Sequence, residues 1–469
     1  MPIKLYNTLT GKKEEFKPQI ENEVSLYVCG VTPYDSVHLG HARAYVVFDI
    51  VKRHFLKRGY KVKHAQNFTD VDDKIIAKAV SQNILPSQIA REFIDDYFEQ
   101  TDKLNILRAS VYPLVTDAMS EIINFIKTLL DKGFAYVKDG DVYYSVEKFA
   151  DYGKLSKRNL SDMRSGARVC VNEEKTSAFD FALWKKTKDG EPQEVSWDSP
   201  WGKGRPGWHI ECSAMSLAFL GETIDIHGGG QDLIFPHHEN EIAQSEAASG
   251  KPFAKYWMHN GFVTINKEKM SKSLGNFFTL KDIFTKYDPR VVRYYLLTQH
   301  YKSPLDFSEE ALNAAKNSLQ GLDDAYLRLA AKLQTRQRGS DTKSLYVKDD
   351  LTVLQNNFLA ALDDDFNSEK ALAYLHELKN AVLNELFTAE EEKLLRLKNL
   401  FETFFEDSLG IILPKADKTG ELEELLKQRN EARKTKNWTE ADRLRKLIDE
   451  KGYKIIDNKD GGSVLTKKI

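Results

Sequence analysis

The spacing of apolar residues changes period along the chain. Val24-Ser25-Leu26-Tyr27-Val28-Cys29 is a short, nearly continuous apolar run and predicts a strand buried in a sheet. A turn-rich loop, Gly30 to Asp35, follows it, and an amphipathic stretch then predicts a helix from about 39 to 57. Gly59 suits the residue just past that helix, and 60–66 predicts a second strand. Strand, helix and strand in this order form a βαβ unit, which argues for an α/β fold with a parallel, doubly wound sheet. Residues 118–131 predict a helix ended by Lys132-Gly133, followed by a hairpin pattern over 134–145 and a polar stretch. These read as an insertion between two halves of the sheet. The α/β pattern resumes at Trp208, with a strand over 222–227, a glycine-rich turn from Gly228 to Asp232, and a helix over 239–248. From about 308 to 405 the pattern is helical, and the spacing of Leu351, Leu354, Phe358, Leu359 and Leu362 fits a bundle. A linker over 414–420 precedes a small end domain of helices and strands.

Length and composition narrow the picture. At 469 residues the chain exceeds one hydrophobic core, so three or more domains are expected. No apolar run approaches a membrane span, and Met1-Pro2-Ile3-Lys4-Leu5-Tyr6 lacks the apolar core of a signal peptide. Three well-separated cysteines, Cys29, Cys170 and Cys212, argue against a disulfide scaffold and for a reducing, cytoplasmic setting. A net charge of −2 gives no general attraction to nucleic acid, so any RNA contact must be local. Residues 421–469 offer such a patch, with 13 Lys and Arg against 10 Asp and Glu, a local net of +3.

Three groups of residues carry candidate chemistry. His38-Leu39-Gly40-His41 lies where a loop enters a helix, where backbone N–H groups and the helix dipole favour an anion. Lys269-Met270-Ser271-Lys272-Ser273 is a short cationic loop about 230 residues further on. Together they look like two clamps on a triphosphate, able to stabilise charge as pyrophosphate leaves. The third group comprises Cys29, Cys212 in Gly207-Trp208-His209-Ile210-Glu211-Cys212-Ser213, and the pair His237 and Glu241. A His and a Glu four apart share a helix face, and Pro236 suits a helix's first turn. Two thiolates, an imidazole and a carboxylate suit Zn²⁺. The same residues also read as two small buried cysteines and a helix-surface pair, and His238 and Glu239 are neighbouring alternatives. Cys170 has no motif around it and reads as structural.

The two signature stretches, in this order, resemble those of the class I aminoacyl-tRNA synthetases. Segments 27–49, 66–77, 207–247, 259–276 and 428–457 resemble the cysteinyl-tRNA synthetase family in particular, and the likeness spans essentially the whole chain. It implies a Rossmann-like catalytic domain whose first half is 1–118, with a connective insertion at 119–207 and a second half at 208–255. A stem-contact region with the lysine loop (256–307), a helical bundle (308–410) and an anticodon-binding domain (411–469) would follow. The activity implied is an ATP-dependent ligase that makes cysteinyl-adenylate and passes the cysteinyl group to tRNA(Cys). His38, His41, Lys269 and Lys272 would be catalytic, and His38, His41, His227, Gly229, Asp232 and Lys272 would bind ATP. Cys29, Gly30, Thr69 and Trp208 would bind L-cysteine. Cys29, Cys212, His237 and Glu241 would hold one Zn²⁺ that takes the substrate thiolate directly, and Mg²⁺ would accompany ATP. Arg433, Asp442 and Asp457 would contact anticodon bases. Such an enzyme is expected to work as a monomer in the cytoplasm, without a membrane partner. One departure is Thr32-Pro33, where the family more often has Pro before Thr.

Direct ligation would also explain selectivity. Cysteine and serine differ by one atom, and apolar packing discriminates such isosteres poorly. The insertion is short for an editing domain, so a thiolate-selective metal would have to suffice. Two rival readings are a same-fold ligase joining cysteine to a small amine or sugar, and a non-catalytic zinc-containing RNA-binding protein. The basic end segment argues against the first, and the intact lysine loop and histidine pair against the second.

Overall fold

The computed structural model describes residues 2–159, 177–265, 268–269, 278–335, 350–416, 420–457 and 463–469. Its first unit, Pro2–Ile283 with Tyr301–Asp306, holds a four-stranded parallel sheet. The strands are Glu23–Val31, Lys61–Phe68, Ile224–Gly230 and Ala254–Asn260. Across the sheet they run 254–260, 224–230, 23–31, 61–68. The expected helix is present as Leu39–Lys57 and buries Val46, Val47, Phe48, Ile50, Val51 and Phe55. Leu26, Tyr27 and Val28 are fully buried in the central strand, as the apolar run requires. The chain leaves strand 23–31 toward one side and later fills the other. A crevice therefore opens at the carboxyl ends of strands 23–31 and 224–230, the usual ligand position in such sheets.

Two local expectations are corrected. The glycine-rich segment is not a turn: the strand runs on to Gly230, and the turn begins at Gln231. The Phe48 ring explains the glycine at 228, since a Cβ there would lie 2.2 Å from it. Pro236 does not start the helix either. Ile234–His238 forms a separate wide turn with Phe235 extended, and the helix is Glu239–Ser249.

The insertion is an antiparallel meander of Ala135–Lys138, Asp141–Tyr144, Phe181–Lys186 and Gly204–Pro206, entered from helix Met119–Asp131. Helix Trp208–Leu220 returns the chain to the parallel sheet. The carboxylate of Glu239 accepts backbone N–H groups from Gly153, Leu155 and Ser156. Cys170 lies outside the described residues.

The second unit, Phe284–His300 with Phe307–Ile469, is helical as expected. Helices Glu309–Thr335, Asp350–Asp363, Ser368–Glu385 and Glu391–Glu402 bury Leu351, Leu354, Phe358 and Leu362. Leu359 is only half-buried, and Ala361 takes a core position instead. The end of the chain is a helix pair, Gly420–Lys434 and Trp438–Glu450, with a hairpin of Tyr453–Asp457 and Ser463–Lys467. Its small core is Leu422, Ile448 and Leu465.

An ion pair fastens this small domain. The buried Arg429 grips both oxygens of Asp457, at 2.5 and 2.7 Å. Arg433 lies 2.8 Å from the same carboxylate, and Ser463 donates to it at 2.7 Å. Partial burial works against ionisation of Asp457, but these partners outweigh it and hold the carboxyl down to about 2. A carboxylate with a lowered folded-state pKa stabilises above its unfolded value near 3.8. That stabilisation is lost as pH falls through about 2. Asp457→Asn should therefore destabilise residues 420–457 near neutral pH and flatten their stability change across the acid limb. Amide hydrogen exchange of this segment as a function of pH measures it, and an unchanged acid profile in the variant would contradict the assignment.

Candidate active site

A cleft of about 580 Å³ lies at the carboxyl ends of the strands. Cys29, Gly30, His38, His41, Trp208, Gly229 and Asp232 all line it. The residues expected to hold phosphate, adenosine and amino acid thus share one wall system. Thr69 and His227 do not line it. Thr69 is buried and donates its hydroxyl to Glu211 Oε2 at 2.8 Å, and His227 lies behind Glu241, with Nε2 2.8 Å from Oε2.

The histidine pair is built by the helix start itself. His38 is the N-cap, and each imidazole Nδ1 accepts the other residue's backbone N–H, at 3.3 and 3.4 Å. The rings stack with centroids 3.5 Å apart. Burial lowers the pKa of His38 to about 4 and that of His41 well below its usual value. Both rings are therefore neutral near pH 7. With Nδ1 accepting, the proton resides on Nε2, which makes each ring a hydrogen-bond donor.

The opposite end of the cleft leads to a buried cluster. Cys29 Sγ lies 3.8 Å from Cys212 Sγ and 3.5 Å from Glu241 Oε1. His237 Nε2 lies 3.0 Å from the same oxygen. These four donor atoms all fall within 4.8 Å of one another, so the set could hold a metal ion. The expected pairing of His237 with Glu241 holds, although His237 precedes the helix. Of the neighbouring alternatives, Glu239 is committed to the insertion loop. His238 faces Cys29 Sγ at 3.3 Å and forms a second possible set with Cys29, His227 and Glu241.

Electrostatics in the cluster are strongly mutual. Hydrogen bonding from Cys29 outweighs burial and lowers Cys212 to about 6, while burial raises Cys29 well above its usual value. Burial opposes the charge on His237, but Glu241 and Cys212 overcome it and raise that imidazole to about 10. Burial likewise opposes ionisation of Glu241, and His227 and His237 more than compensate. Outer partners orient the rings: His209 sits 2.9 Å from His237, and His238 joins His259, which joins Thr8, each at 2.8 Å. Trp208, 40% exposed, stacks on His237 at 4.2 Å at the edge of the cleft.

Sequence reasoning missed Asn67, His209, His259, Lys74 and Asn260. Lys74 and Asn260 line the cleft, and the others brace the cluster. All five lie in segments 66–77, 207–247 and 259–276 that carry the family resemblance, which was the available signal. The backbone of Lys269 pairs with Thr264 in a short hairpin whose strand Val263–Ile265 begins at the cleft. Lys272 lies outside the described residues. In the second unit, Arg433 and Asp457 are brought together by an ion pair, and Asp442 is exposed on helix Trp438–Glu450.

Comparison with known proteins bears on the whole chain. Residues 15–317 match the tRNA synthetases class I (C) catalytic domain, 357–413 the DALR domain, and 416–462 the cysteinyl-tRNA ligase anticodon binding domain. A cysteine–tRNA ligase of Endomicrobium trichonymphae is 67% identical over 471 residues, covering 100% of both chains. One from Caldicellulosiruptor saccharolyticus is 47% identical over 98% of this chain and 99% of its own. Among solved structures, Mycobacterium tuberculosis methionyl-tRNA synthetase in complex with methionyl-adenylate shares the fold, with TM-score 0.58 and 16% identity. That alignment covers 82% of this chain and 89% of the other. A putative arginyl tRNA synthetase from Campylobacter jejuni gives TM-score 0.57 at 16% identity, over 83% and 92%. Full-length identity well above the level at which families diverge, together with three consecutive domain matches, shows that the chain belongs to the cysteinyl-tRNA synthetase family of class I aminoacyl-tRNA synthetases.

Proposed function

We propose that the cleft joins L-cysteine to ATP as cysteinyl-adenylate and then delivers the cysteinyl group to tRNA(Cys). The observation that carries this reading is one cleft with phosphate-type donors at one end and buried sulfur donors at the other. In the first step a carboxylate oxygen of cysteine attacks the α-phosphorus, and pyrophosphate leaves. In the second, a hydroxyl of the tRNA's terminal ribose attacks the acyl carbon, and AMP leaves with the bonding electrons. No covalent enzyme intermediate is needed, so catalysis is placement and charge stabilisation.

His38 and His41 donate Nε2–H to phosphate oxygens as neutral groups, which avoids burying two positive charges side by side. Lys272, assisted by Lys269, follows the departing pyrophosphate. Gly229 and Asp232 wall the adenosine, and His227 supports that wall from behind by holding Glu241. Gly30 lines the amino-acid end of the cleft, Thr69 braces the strand end beneath it, and Trp208 covers the substrate. Magnesium enters with ATP.

Zinc fits the Cys29, Cys212, His237 and Glu241 set. Tetrahedral zinc with sulfur bonds of about 2.3 Å would separate two thiolates by about 3.8 Å, and the two sulfurs lie 3.8 Å apart. When bound, it supplies a soft Lewis acid that prefers a thiolate to a hydroxyl. The protein's own part is to present both sulfurs and exclude water: Cys29 and Cys212 are buried, as are His237 and Glu241.

Residues 119–207 serve as a connective insertion between catalytic halves 1–118 and 208–255, and 256–307 contact the tRNA stem. Residues 308–410 form the bundle that carries the anticodon-binding domain, 411–469. There Arg433, Asp442 and Asp457 contact anticodon bases, with Asp457 also orienting Arg433 through their ion pair. The enzyme acts as a monomer in the cytoplasm. Among the described residues, no helix is long and apolar enough to cross a membrane. The anticodon-domain match argues against a ligase for small amines, and the histidine pair lining the cleft together with the catalytic-domain match argues against a non-catalytic RNA-binding protein.

Two measurements test this reading. Purified protein should carry about one zinc per chain, and Cys212→Ser should lose most of it. Cysteine-dependent pyrophosphate exchange should fall in parallel. Full metal content with unchanged preference for cysteine over serine would remove Cys212 from the ligand set. Arg433→Ala should leave that exchange unchanged, since it needs no tRNA. It should weaken recognition in charging by about 1–3 kcal/mol, the worth of one bidentate base contact. Equal charging of native and anticodon-altered tRNA(Cys) by parent and variant would show that Arg433 reads no base.

A further inference from the structure

Cys29 reaches the cleft through a break in the sheet, and one side chain mends that break. Strand Glu23–Val31 pairs with Lys61–Phe68 in a register that matches Val28 to Gln66 but Val31 to Phe68. Three steps on one strand therefore span two on the other. Cys29 and Gly30 sit in this bulge, a device that re-aims a side chain at the expense of a ladder hydrogen bond. The backbone N–H of Gly30 is taken instead by Asn67 Oδ1, at 2.9 Å. The strands approach so closely here that a Cβ on Gly30 would lie 1.5 Å from the Asn67 carbonyl oxygen.

The same amide reaches the other sulfur. Asn67 Oδ1 lies 3.7 Å from Cys212 Sγ. Its Nδ2 donates to Thr69 Oγ1 at 3.4 Å, and that hydroxyl donates to Glu211 Oε2 at 2.8 Å. Glu211 immediately precedes Cys212 on helix Trp208–Leu220. Asn67, Thr69 and Glu211 are all buried. The order of donors is forced: Gly30 N–H requires the amide oxygen on its side, which turns Nδ2 toward Thr69, whose single hydroxyl proton then goes to Glu211. A chain of hydrogen bonds thus ties the bulge bearing Cys29 to the helix turn bearing Cys212.

We infer that Asn67 and Glu211 are positioning residues that set how the two sulfurs face each other, and through them the preference for cysteine over serine. Neither touches the substrate; both act through Cys29 and Cys212. This rests on the proposed metal reading. Partners that orient metal ligands are commonly worth 10–100-fold in metal affinity, whereas a side chain that only packs two strands together would change stability and leave the ligand field alone.

The test uses full-length enzyme loaded with Co²⁺, whose sulfur-to-metal charge-transfer absorption reports thiolate ligation. The parent should show that band. Asn67→Ala should weaken the band and loosen Co²⁺ about tenfold or more, measured by chelator competition. KM for cysteine in pyrophosphate exchange should rise, KM for ATP should hold, and the cysteine-to-serine ratio should fall. Glu211→Ala should behave in the same way, and Glu211→Gln, which still accepts from Thr69, should restore the band and KM. This second pair keeps the test decisive if Asn67→Ala fails to fold. A parent without the charge-transfer band would overturn the metal reading and this inference together. A parent with the band, but Asn67→Ala and Glu211→Ala variants of parental spectrum, Co²⁺ affinity and KM, would overturn the inference alone.

Discussion

Burial of an ionisable cluster at the edge of the parallel sheet is the constraint on which the rest of this structure depends. Cys29, Cys212, His237 and Glu241 lie together with almost no access to water. Charges in such a place cost several kcal/mol each unless paired and hydrogen-bonded. Every neighbouring element contributes to that pairing. Strand 224–230 supplies His227, strand 254–260 supplies His259, the helix at 208–220 supplies His209, and the N-terminal segment reaches in with Thr8. The cluster brings strand 23–31 and the helix at 208–220 together, even though about 180 residues of chain separate Cys29 from Cys212.

The histidine pair of the cleft follows a different logic. Its donors come from local backbone geometry: the helix start orients His38 and His41 through reciprocal caps. Neutral imidazoles there donate hydrogen bonds without long-range charge. The sulfur end of the site is buried, whereas His38 and His41 line the cleft itself.

The parts legible in the sequence were those set by local rules. Periodicity predicts the helix at about 39–57, because its start is capped by a motif residue and Gly59, which takes positive φ, follows its end. The four donors were legible only through the family resemblance, and the structure brings them within 4.8 Å of one another. What the sequence concealed depends on contacts between distant segments. The bulge at Cys29 and Gly30 arises from pairing with a strand more than thirty residues away. The glycines at 228–230 read as a turn, yet they pair with Met258, His259 and Asn260 of the neighbouring strand. His227 looked like a cleft residue, and Glu241 draws it inward. The ion pair of Asp457 with Arg429 and Arg433 was likewise not legible.

The central claim is that cysteine is chosen by sulfur ligation at this cluster. X-ray absorption at the zinc edge of the purified enzyme, alone and with cysteine or serine, tests it most directly. The account predicts that the sulfur shell at about 2.3 Å grows when cysteine is added and stays as it was with serine. A zinc site whose sulfur shell ignores cysteine, or responds to both amino acids alike, would contradict it.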